Sequence, residues 1–303
     1  MHHLSIKSNI TRLCTQYMIN VKELETKGFV VVKNFLTSEQ LEIAIQDYQE
    51  KVKHHVPSDS DNKNYRMLQS NSTKVKPWLT ELMQTISQDT NLTINYTMPH
   101  VVYLENQLIN FGWHQDHEAY YQWQEMYNSI NCWIPIIKPN SHLSGLSIMP
   151  HDAWINKCPE IFKDHILGKG AKRFLTLSNG TTDMHDDELG QVINLPFDIE
   201  TLAVTPELNA GDALILRQDI IHRTQDSLDE RIAFTIRCRN GDGVVNKNKL
   251  LAMCPRKQRM IENNKLWFFC FMKQFEKTDQ LTIKELAESL ISYTSNTQAP
   301  KSP

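Results

Sequence analysis

The segment from Ala213 to Arg239, ALILRQDIIHRTQDSLDERIAFTIRCR, contains the most regular strand pattern of the chain. From Arg231 onward it alternates between an apolar set (Ile232, Phe234, Ile236, Cys238) and a mostly polar set (Arg231, Ala233, Thr235, Arg237, Arg239). Successive side chains of a strand point to opposite faces, so this pattern predicts a strand with one face in a hydrophobic core. The run from Ala213 to Leu216 predicts a second strand that is apolar on both faces.

Further elements are predicted on the N-terminal side of this segment. Apolar or β-branched runs predict strands at residues 28–32, 100–104, 130–136 and 202–204. Thr37 and Gln40 have the spacing of a capping box, and helices are predicted at residues 38–53, 76–88 and 152–168. The polar stretches are predicted to be loops, at residues 56–75, 118–124 and 181–190.

Short strands between helical ends predict a mainly β fold with flanking helices, either a barrel or a sandwich. We expect residues 1–303 to form one domain. Its parts are a loose arm at residues 1–20, a strand and helices at 21–95, a β core at 96–240, and a helical region with a polar tail at 241–303.

The composition excludes several classes of protein. The chain has 303 residues, and its 32 basic and 35 acidic residues give a formal net charge of −3 at pH 7. Nucleic-acid-binding proteins usually have a basic excess, so no nucleic-acid partner is expected. No apolar run approaches the roughly 18 residues of a membrane span, so no membrane partner is expected. Only 10 glycines are present, and neither a dinucleotide nor a phosphate-loop motif occurs.

Six scattered cysteines without a CxxC pair are typical of reduced thiols in a cytoplasmic protein rather than of a disulfide framework. The N-terminal arm lacks the apolar core of a signal peptide, but it also lacks acidic residues, so a targeting role stays open. We therefore expect a cytoplasmic monomer or weak homo-oligomer that acts on a small-molecule substrate.

Three residues have the types and spacing of a metal site. His114 and Asp116 belong to the segment Trp113–His117 (WHQDH), and an extended chain points residues i and i+2 to the same face. Further along, His222 follows the apolar strand that begins at Ala213. Two histidines and one carboxylate form the facial triad of non-haem Fe(II) oxygenases, which leaves positions open for a cosubstrate and O₂. We predict that these three residues bind Fe(II) and are catalytic.

Arg231 lies nine residues after His222, at the start of the alternating strand. A 2-oxo acid that chelates the metal and has a distal carboxylate requires a buried cation, and the guanidinium fork matches a carboxylate. We therefore predict that Arg231 binds 2-oxoglutarate and that its end of the polar face lines a pocket. Asn131 and Tyr103 lie on central strands and are further candidates for contact with this cosubstrate.

Four stretches together resemble the phytanoyl-CoA dioxygenase-like family of Fe(II)/2-oxoglutarate-dependent oxygenases, over roughly residues 20–240. They are Gly28–Leu36 with its following helix, the WHxD-like Trp113–Asp116, the segment Trp133–Pro150, and the GD…H…RxA-like Gly211–Ala233. The resemblance implies a double-stranded β-helix, a jelly-roll or cupin-like core, and an oxidation that releases succinate and CO₂. Thr224 would bind the same carboxylate as Arg231, and Trp133 would pack beside 2-oxoglutarate.

A finer resemblance concerns the substrate side. The runs His117–Trp123 and Gly168–Phe174 resemble a subgroup that includes algal kainoid synthases, enzymes of secondary metabolism that close a ring on an N-prenylated glutamate derivative. It implies a small, carboxylate-bearing, amino-acid-derived substrate and either hydroxylation of a C–H bond or radical ring closure. The predicted substrate contacts are His117, Tyr120, Tyr121, Trp123, Arg217 and Arg237, with Arg239 as a further nearby arginine; a core position suits Trp123 equally well.

Two other functions remain open. A cupin-like metal-dependent hydrolase or isomerase would use the same three ligands without 2-oxoglutarate, but it would leave Arg231 without a role. A non-catalytic sensor on the same fold would not require an intact triad.

Overall fold

Strands from both halves of the chain interleave at the centre of the molecule. The computed structural model describes residues 20–54, 65–106, 112–225, 229–251 and 265–296. The strands in these ranges are β1 (Phe29–Val32), β2 (Tyr65–Asn71), β3 (Tyr96–Asn106), β4 (Ser129–Ile137), β5 (Leu146–Met149), β6 (Lys172–Thr176), β7 (Thr182–Asp186), β8 (Gln191–Leu195), β9 (Ala213–Arg217), β10 (Ile221–Thr224), β11 (Arg231–Arg239), β12 (Val244–Asn246) and β13 (Gln280–Thr282).

The helices lie before, between and after these strands. They are α1 (Glu23–Thr26), α2 (Ser38–His54), α3 (Lys76–Asp89), α4 (Glu118–Trp123), α5 (His151–Lys157), α6 (Pro159–Ile161), α7 (Lys247–Leu251), α8 (Lys265–Lys273) and α9 (Ile283–Asn296). A π-helical turn, Phe162–Ile166, follows α6, and a 3₁₀ turn spans Ile199–Leu202. Among the described residues, no helix is both long and apolar enough to cross a membrane.

Two antiparallel sheets form the core. The larger has the strand order β1-β9-β4-β11-β3-β2. The smaller contains the pair β5-β10 and the meander β6-β7-β8. His114 joins these two parts because it forms backbone bridges with His222 of β10 and with Arg173 of β6. Together the two sheets form a double-stranded β-helix, in agreement with the fold predicted from the sequence.

The alternation of β11 determines what each face of the larger sheet contacts. Ile232, Phe234 and Ile236 pack in one hydrophobic cluster with α2 and α3. Ala233, on the opposite face, packs in a second cluster with residues of the smaller sheet such as Leu146 and Ile148. The polar face of β11 is therefore not a solvent face but lies between the two sheets, and its role in lining a pocket stays a prediction.

Several elements agree closely with the sequence prediction. The capping box is formed: the backbone N–H of Thr37 donates to Gln40 Oε1 at 2.9 Å, and the N–H of Gln40 donates to Thr37 Oγ1 at 3.2 Å. The helix that follows, α2, and the next one, α3, each end within one residue of the prediction. The cysteines within the described ranges (Cys132, Cys158, Cys238, Cys270) are free.

Other local predictions are wrong. Part of the loop predicted at 56–75 is β2, an edge strand that pairs with β3. The predicted loop 118–124 is mostly α4, and half of the acidic loop 181–190 is β7, in which buried Asp186 pairs with buried Lys172 at 2.9 Å. The predicted strand 202–204 is the end of a 3₁₀ turn with a single bridge at Val204. Almost all of the predicted N-terminal arm lies outside the described residues.

His151 is buried although its position beside a turn suggests the surface. Its side chain is 1% exposed, it packs against Phe162, and neither ring nitrogen has a hydrogen-bond partner. Nε2 lies 3.7 Å from Asp219 Oδ1. The ring occupies the space beside Gly28, where φ is +77° and a Cβ atom would lie 2.6 Å from the imidazole. Burial lowers the pKa of His151 to about 4.

This lowered pKa predicts a loss of stability in mild acid. The unfolded chain has the ordinary histidine pKa of about 6.5, so it binds an additional proton as the pH falls below that value, whereas folded His151 stays neutral until about pH 4. From pH 7 to pH 5 the free energy of unfolding should therefore fall by about 2 kcal/mol more in the wild type than in His151→Gln. Urea denaturation at both pH values measures this difference.

The exposed His142 provides the matched control, because its side chain is 72% exposed. His142→Gln should follow the wild-type pH dependence. If His151→Gln also follows it, His151 is not neutral in the folded protein.

Candidate metal centre

Backbone pairing brings His114 and His222 together. The N–H of each residue donates to the carbonyl oxygen of the other at 3.0 Å. Directly paired residues of an antiparallel bridge have side chains on the same face, so the two imidazoles lie side by side, with ring centroids 4.5 Å apart. Two ligands that are distant in sequence are thus aligned by a single bridge.

The orientation of both rings leaves the same nitrogen available. Nδ1 of His114 lies 2.7 Å from the carbonyl oxygen of Gly112, and Nδ1 of His222 lies 3.1 Å from that of Ile220. A carbonyl only accepts hydrogen bonds, so Nδ1 is the donor in each ring, and in a neutral ring the lone pair is then on Nε2. Backbone carbonyls commonly fix the tautomer of metal-binding histidines in this way.

Asp116 completes the group. It follows His114 by two residues on the same extended segment, and its Oδ1 lies 3.8 Å from Nε2 of each histidine. One donor atom from each of the three residues lies within 4.8 Å of the others, so they can surround one ion with metal–ligand bonds of about 2 Å. The three side chains are 13% to 24% exposed, so small molecules can reach them.

The second oxygen of Asp116 is held by the larger sheet. Gln218 Nε2 donates to Oδ2, and a guanidinium nitrogen of Arg237 donates to the same atom at 3.3 Å. The buried Arg239 donates to Gln218 Oε1 at 3.4 Å and to Ser129 Oγ at 2.9 Å. Because Oδ2 has two donors, Asp116 presents Oδ1 to a metal as a single ligand atom.

The protonation states suit a divalent cation. Burial would raise the pKa of Asp116, but the positive charge of Arg237 and the two histidines hold it below its usual range. Burial and the neighbouring His114 lower the pKa of His222 to about 4. At neutral pH the carboxylate is therefore ionised and the His222 ring is neutral, which are the forms that bind metal.

Arg231 lies in the pocket face of β11, three strand positions before Arg237 on that face. Its side chain is 3% exposed, and it lies over the Trp133 ring with its guanidinium carbon 5.2 Å from the centroid. One guanidinium nitrogen donates to the carbonyl oxygen of Ser144 at 3.2 Å, but Nε has no partner. No carboxylate in the described residues forms an ion pair with it. Burial lowers the pKa of Arg231 to about 10, so the guanidinium stays charged at neutral pH.

Three other predicted cosubstrate residues face the space between the sheets. Asn131 is 9% exposed and pairs with Arg237 across the β4–β11 ladder. Thr224 follows His222 by two residues on β10, so the two side chains share a face. Trp133, with the unpartnered indole nitrogen Nε1, lies two residues after Asn131 on the same face of β4.

Tyr103 and Arg217 lie on the other face of the larger sheet. Tyr103 pairs with Phe234, packs against the helices, and donates from its hydroxyl to Asp47 Oδ2 at 2.7 Å. Arg217 is 2% exposed and its Nε donates to Asp219 Oδ1 at 3.0 Å. These positions correct the predictions of cosubstrate contact for Tyr103 and substrate contact for Arg217, because the strand register directs both side chains away from the metal ligands.

The segment after Asp116 is the helix α4 rather than an open loop. His117 Nε2 lies 2.6 Å from Asp187 Oδ2, and the Tyr121 hydroxyl donates to the carbonyl oxygen of Asp187 at 3.2 Å. Tyr120 is 3% exposed, and Trp123 packs against Phe271 of the C-terminal cluster. Trp123 therefore has the core role, and the predicted substrate contacts of the other three stay predictions.

The structure adds residues that the sequence did not single out. Gln218 contacts the metal ligand Asp116, and Arg173 donates to both oxygens of Asp187 at 2.8 Å. A row of paired residues crosses the inner face of the smaller sheet: His222, His114, Arg173, His185 and Val192. Arg173 therefore follows the metal ligands on the same face. No motif in the sequence marks these residues, since each is defined by contacts that are distant along the chain.

The sequence matches no protein-family model and no curated protein. Among solved structures, it is similar to the non-haem alpha-ketoglutarate-dependent epimerase SnoN from nogalamycin biosynthesis (TM-score 0.47, 10% identity, 73% of this chain and 80% of that chain). It is also similar to EctD from S. alaskensis (0.48, 10%, 75% and 78%) and to a Pseudomonas putida prolyl-4-hydroxylase (0.43, 12%, 72% and 96%). The chemistry of the site rests on its own residues.

The contact between Gln218 and Asp116 predicts an effect on metal affinity. Gln218→Leu removes a donor from Oδ2 while it keeps the side-chain volume, so Asp116 loses part of its orientation. We expect the dissociation constant for Co(II), measured by its absorption spectrum on the metal-free protein, to rise about tenfold, as is usual when a ligand loses a supporting hydrogen bond.

The exposed Gln46 of α2, which bonds only to Glu42 in the described structure, is the matched control. Gln46→Leu should bind Co(II) as the wild type does. Equal affinities of Gln218→Leu and the wild type would contradict a role of Gln218 in orienting Asp116.

Proposed function

We propose that the chain is an Fe(II)/2-oxoglutarate-dependent oxygenase. The proposal rests on one observation: two histidine Nε2 atoms and a single carboxylate oxygen converge between the sheets, and the Nδ1 atom of each histidine lies against a backbone carbonyl. Two histidines and one carboxylate are the ligand set of non-haem Fe(II) oxygenases. The donor set fits Fe(II), and with 2-oxoglutarate and O₂ this ion supplies oxidation of an unactivated C–H bond with release of succinate and CO₂.

Arg231 supports the choice of 2-oxoglutarate as the cosubstrate. A buried guanidinium without a carboxylate partner is unfavourable unless a ligand supplies the anion. The distal carboxylate of 2-oxoglutarate would neutralise it, with the Trp133 ring beneath and Thr224 on the facing sheet as further contacts. In a hydrolase or isomerase that uses the same ligands without this cosubstrate, Arg231 would have no partner.

The remaining residues orient the reactants. The donors on Asp116 Oδ2 keep Oδ1 directed at the histidines, so that His114, Asp116 and His222 would each hold the ion with one atom. Which C–H bond reacts depends on how the pocket positions the substrate, since alignment of the reacting atoms controls the rate of each competing reaction.

Within this class, we propose a phytanoyl-CoA dioxygenase-like enzyme of secondary metabolism whose substrate is a small, carboxylate-bearing, amino-acid-derived metabolite. Arg237 supports this substrate class, because its guanidinium is 34% exposed beside Asp116 and can attract an anion to the metal ligands. The reaction is hydroxylation, or ring closure of the kind that kainoid synthases perform.

Anaerobic addition of Fe(II) and 2-oxoglutarate to the purified protein should produce the weak visible charge-transfer band of a chelated 2-oxo acid. In Arg231→Met the dissociation constant for 2-oxoglutarate, from titration of this band, should rise about 100-fold, which corresponds to about 3 kcal/mol for a buried ion pair. Because Arg231 is a buried charge without a carboxylate partner in the free protein, this variant should unfold at the same temperature as the wild type or at a higher one.

Arg223→Gln is the matched control, because it removes a positive charge from a residue next to His222 that does not face the proposed cosubstrate. Arg223 lies between His222 and Thr224 on β10, but its guanidinium is on the opposite face, over Trp113 and against Glu200. The variant Arg223→Gln should bind 2-oxoglutarate as the wild type does. Absence of the band in the wild type would refute the proposed function and favour a metal-dependent hydrolase, an isomerase or a sensor.

Loss of a metal ligand should abolish turnover of the cosubstrate. Asp116→Ala removes the only carboxylate of the triad, so we expect succinate production from 2-oxoglutarate to fall below detection in an aerobic assay with added Fe(II). Succinate release by this variant at the wild-type rate would show that the reaction does not depend on the proposed centre.

A further inference from the structure

Two polar groups beside the candidate metal ligands have atoms for which the described part of the chain provides no hydrogen-bond partner. Asn131 of β4 and Arg237 of β11 are paired across the ladder. Oδ1 of Asn131, in a side chain that is 9% exposed, is buried without a hydrogen-bond partner, and so is Nε of Arg237. One group is an acceptor that needs a donor, and the other is a cationic donor that needs an acceptor.

Their arrangement suits a single ligand. Directly opposed residues of antiparallel strands share a face, with Cβ atoms about 5 Å apart. A buried polar atom without a hydrogen-bond partner is unfavourable, and one molecule that carries both a donor and an acceptor would satisfy both atoms together. Arg237 also donates to Asp116 Oδ2, so this molecule would lie next to the reacting centre.

The pair is separate from the predicted 2-oxoglutarate site. Arg231 precedes Arg237 by six residues on β11, which is about 20 Å along a strand. A guanidinium recognises a carboxylate, and an amide oxygen recognises an ammonium or a hydroxyl group. The smallest common unit that places a carboxylate and a cationic donor on one carbon is the head group of an α-amino acid.

We propose that Asn131 and Arg237 form a subsite for the head group of an α-amino acid substrate, with the carboxylate on Arg237 and the ammonium on Asn131 Oδ1. This inference rests on the proposed function and specifies its substrate. It reassigns Asn131 from the cosubstrate, where the sequence placed it, to the substrate. The side chain of the amino acid would extend toward the exposed part of the smaller sheet around Arg173.

Calorimetric titration of the anaerobic protein, loaded with Fe(II) and 2-oxoglutarate, tests the subsite without turnover. The probes are the twenty L-amino acids at millimolar concentration. For each amino acid that binds, we use the deaminated acid, which lacks the ammonium, and the amino acid methyl ester, which lacks the carboxylate charge. We expect at least one L-amino acid to bind about tenfold more tightly than both analogues, since a hydrogen bond to a charged group is worth about 1.5–3 kcal/mol.

Asn131→Leu, which keeps a side chain of similar volume, tests which group of the amino acid Asn131 contacts. In this variant the preference for the amino acid over its deaminated analogue should disappear, while the preference over the methyl ester and the dissociation constant for 2-oxoglutarate should stay unchanged. Asn156→Leu, at an exposed position of α5, should keep both preferences. Arg237→Gln should lose the preference over the methyl ester, measured at saturating Fe(II).

The failures of the two proposals are distinguishable. If the wild type gives the 2-oxoglutarate charge-transfer band but no L-amino acid binds, or the deaminated analogue binds equally well, the subsite is refuted and the oxygenase is not. If Asn131→Leu weakens 2-oxoglutarate binding instead, Asn131 belongs to the cosubstrate and the subsite is also refuted. If the wild type gives no band, the proposed function itself fails.

Discussion

The reciprocal backbone hydrogen bonds between His114 and His222 are the interaction on which the site depends. They align two imidazoles from distant parts of the sequence, and they also join the β5-β10 pair to the β6-β7-β8 meander within one sheet. Between the two ligands His114 and Asp116, the side chain of Gln115 points the other way and donates to the backbone carbonyl of Ile166 at 3.1 Å. One short extended segment therefore directs alternate residues to the candidate metal site and the residue between them to the core.

The parts of the fold that could be predicted from the sequence are those with a local physical cause. The two-residue period of β11 separates an apolar face from a polar one, and the i, i+2 spacing of His114 and Asp116 follows from the pleat of a strand. The capping box before α2 is likewise a contact among neighbours. The same alternation places Arg231 on the polar face of β11, nine residues after His222, which is the basis of its proposed role.

The parts that could not be predicted depend on long-range pairing. Tyr103 and Arg217 lie on strands that border the pocket, but a shift of one residue in a strand changes the face, and only the register with neighbouring strands shows that both face the helices. Gln218 contacts Asp116, which lies 102 residues earlier in the sequence, and β2 is a strand because β3 provides its hydrogen bonds, although its sequence is polar. Local propensity contains no information about such partners.

The row of residues that begins at His222 and His114 continues across β6, β7 and β8, where Leu175 and Val192 are each more than half exposed. At β6, β7 and β8 the face that carries the candidate metal site therefore continues to residues that are exposed to solvent. Surface positions tolerate substitution at little cost in stability, whereas positions that touch the ligands do not. Under the proposed function, substitutions along this surface would therefore alter the size and polarity of the substrate that binds and would leave the group of His114, Asp116 and His222 unchanged.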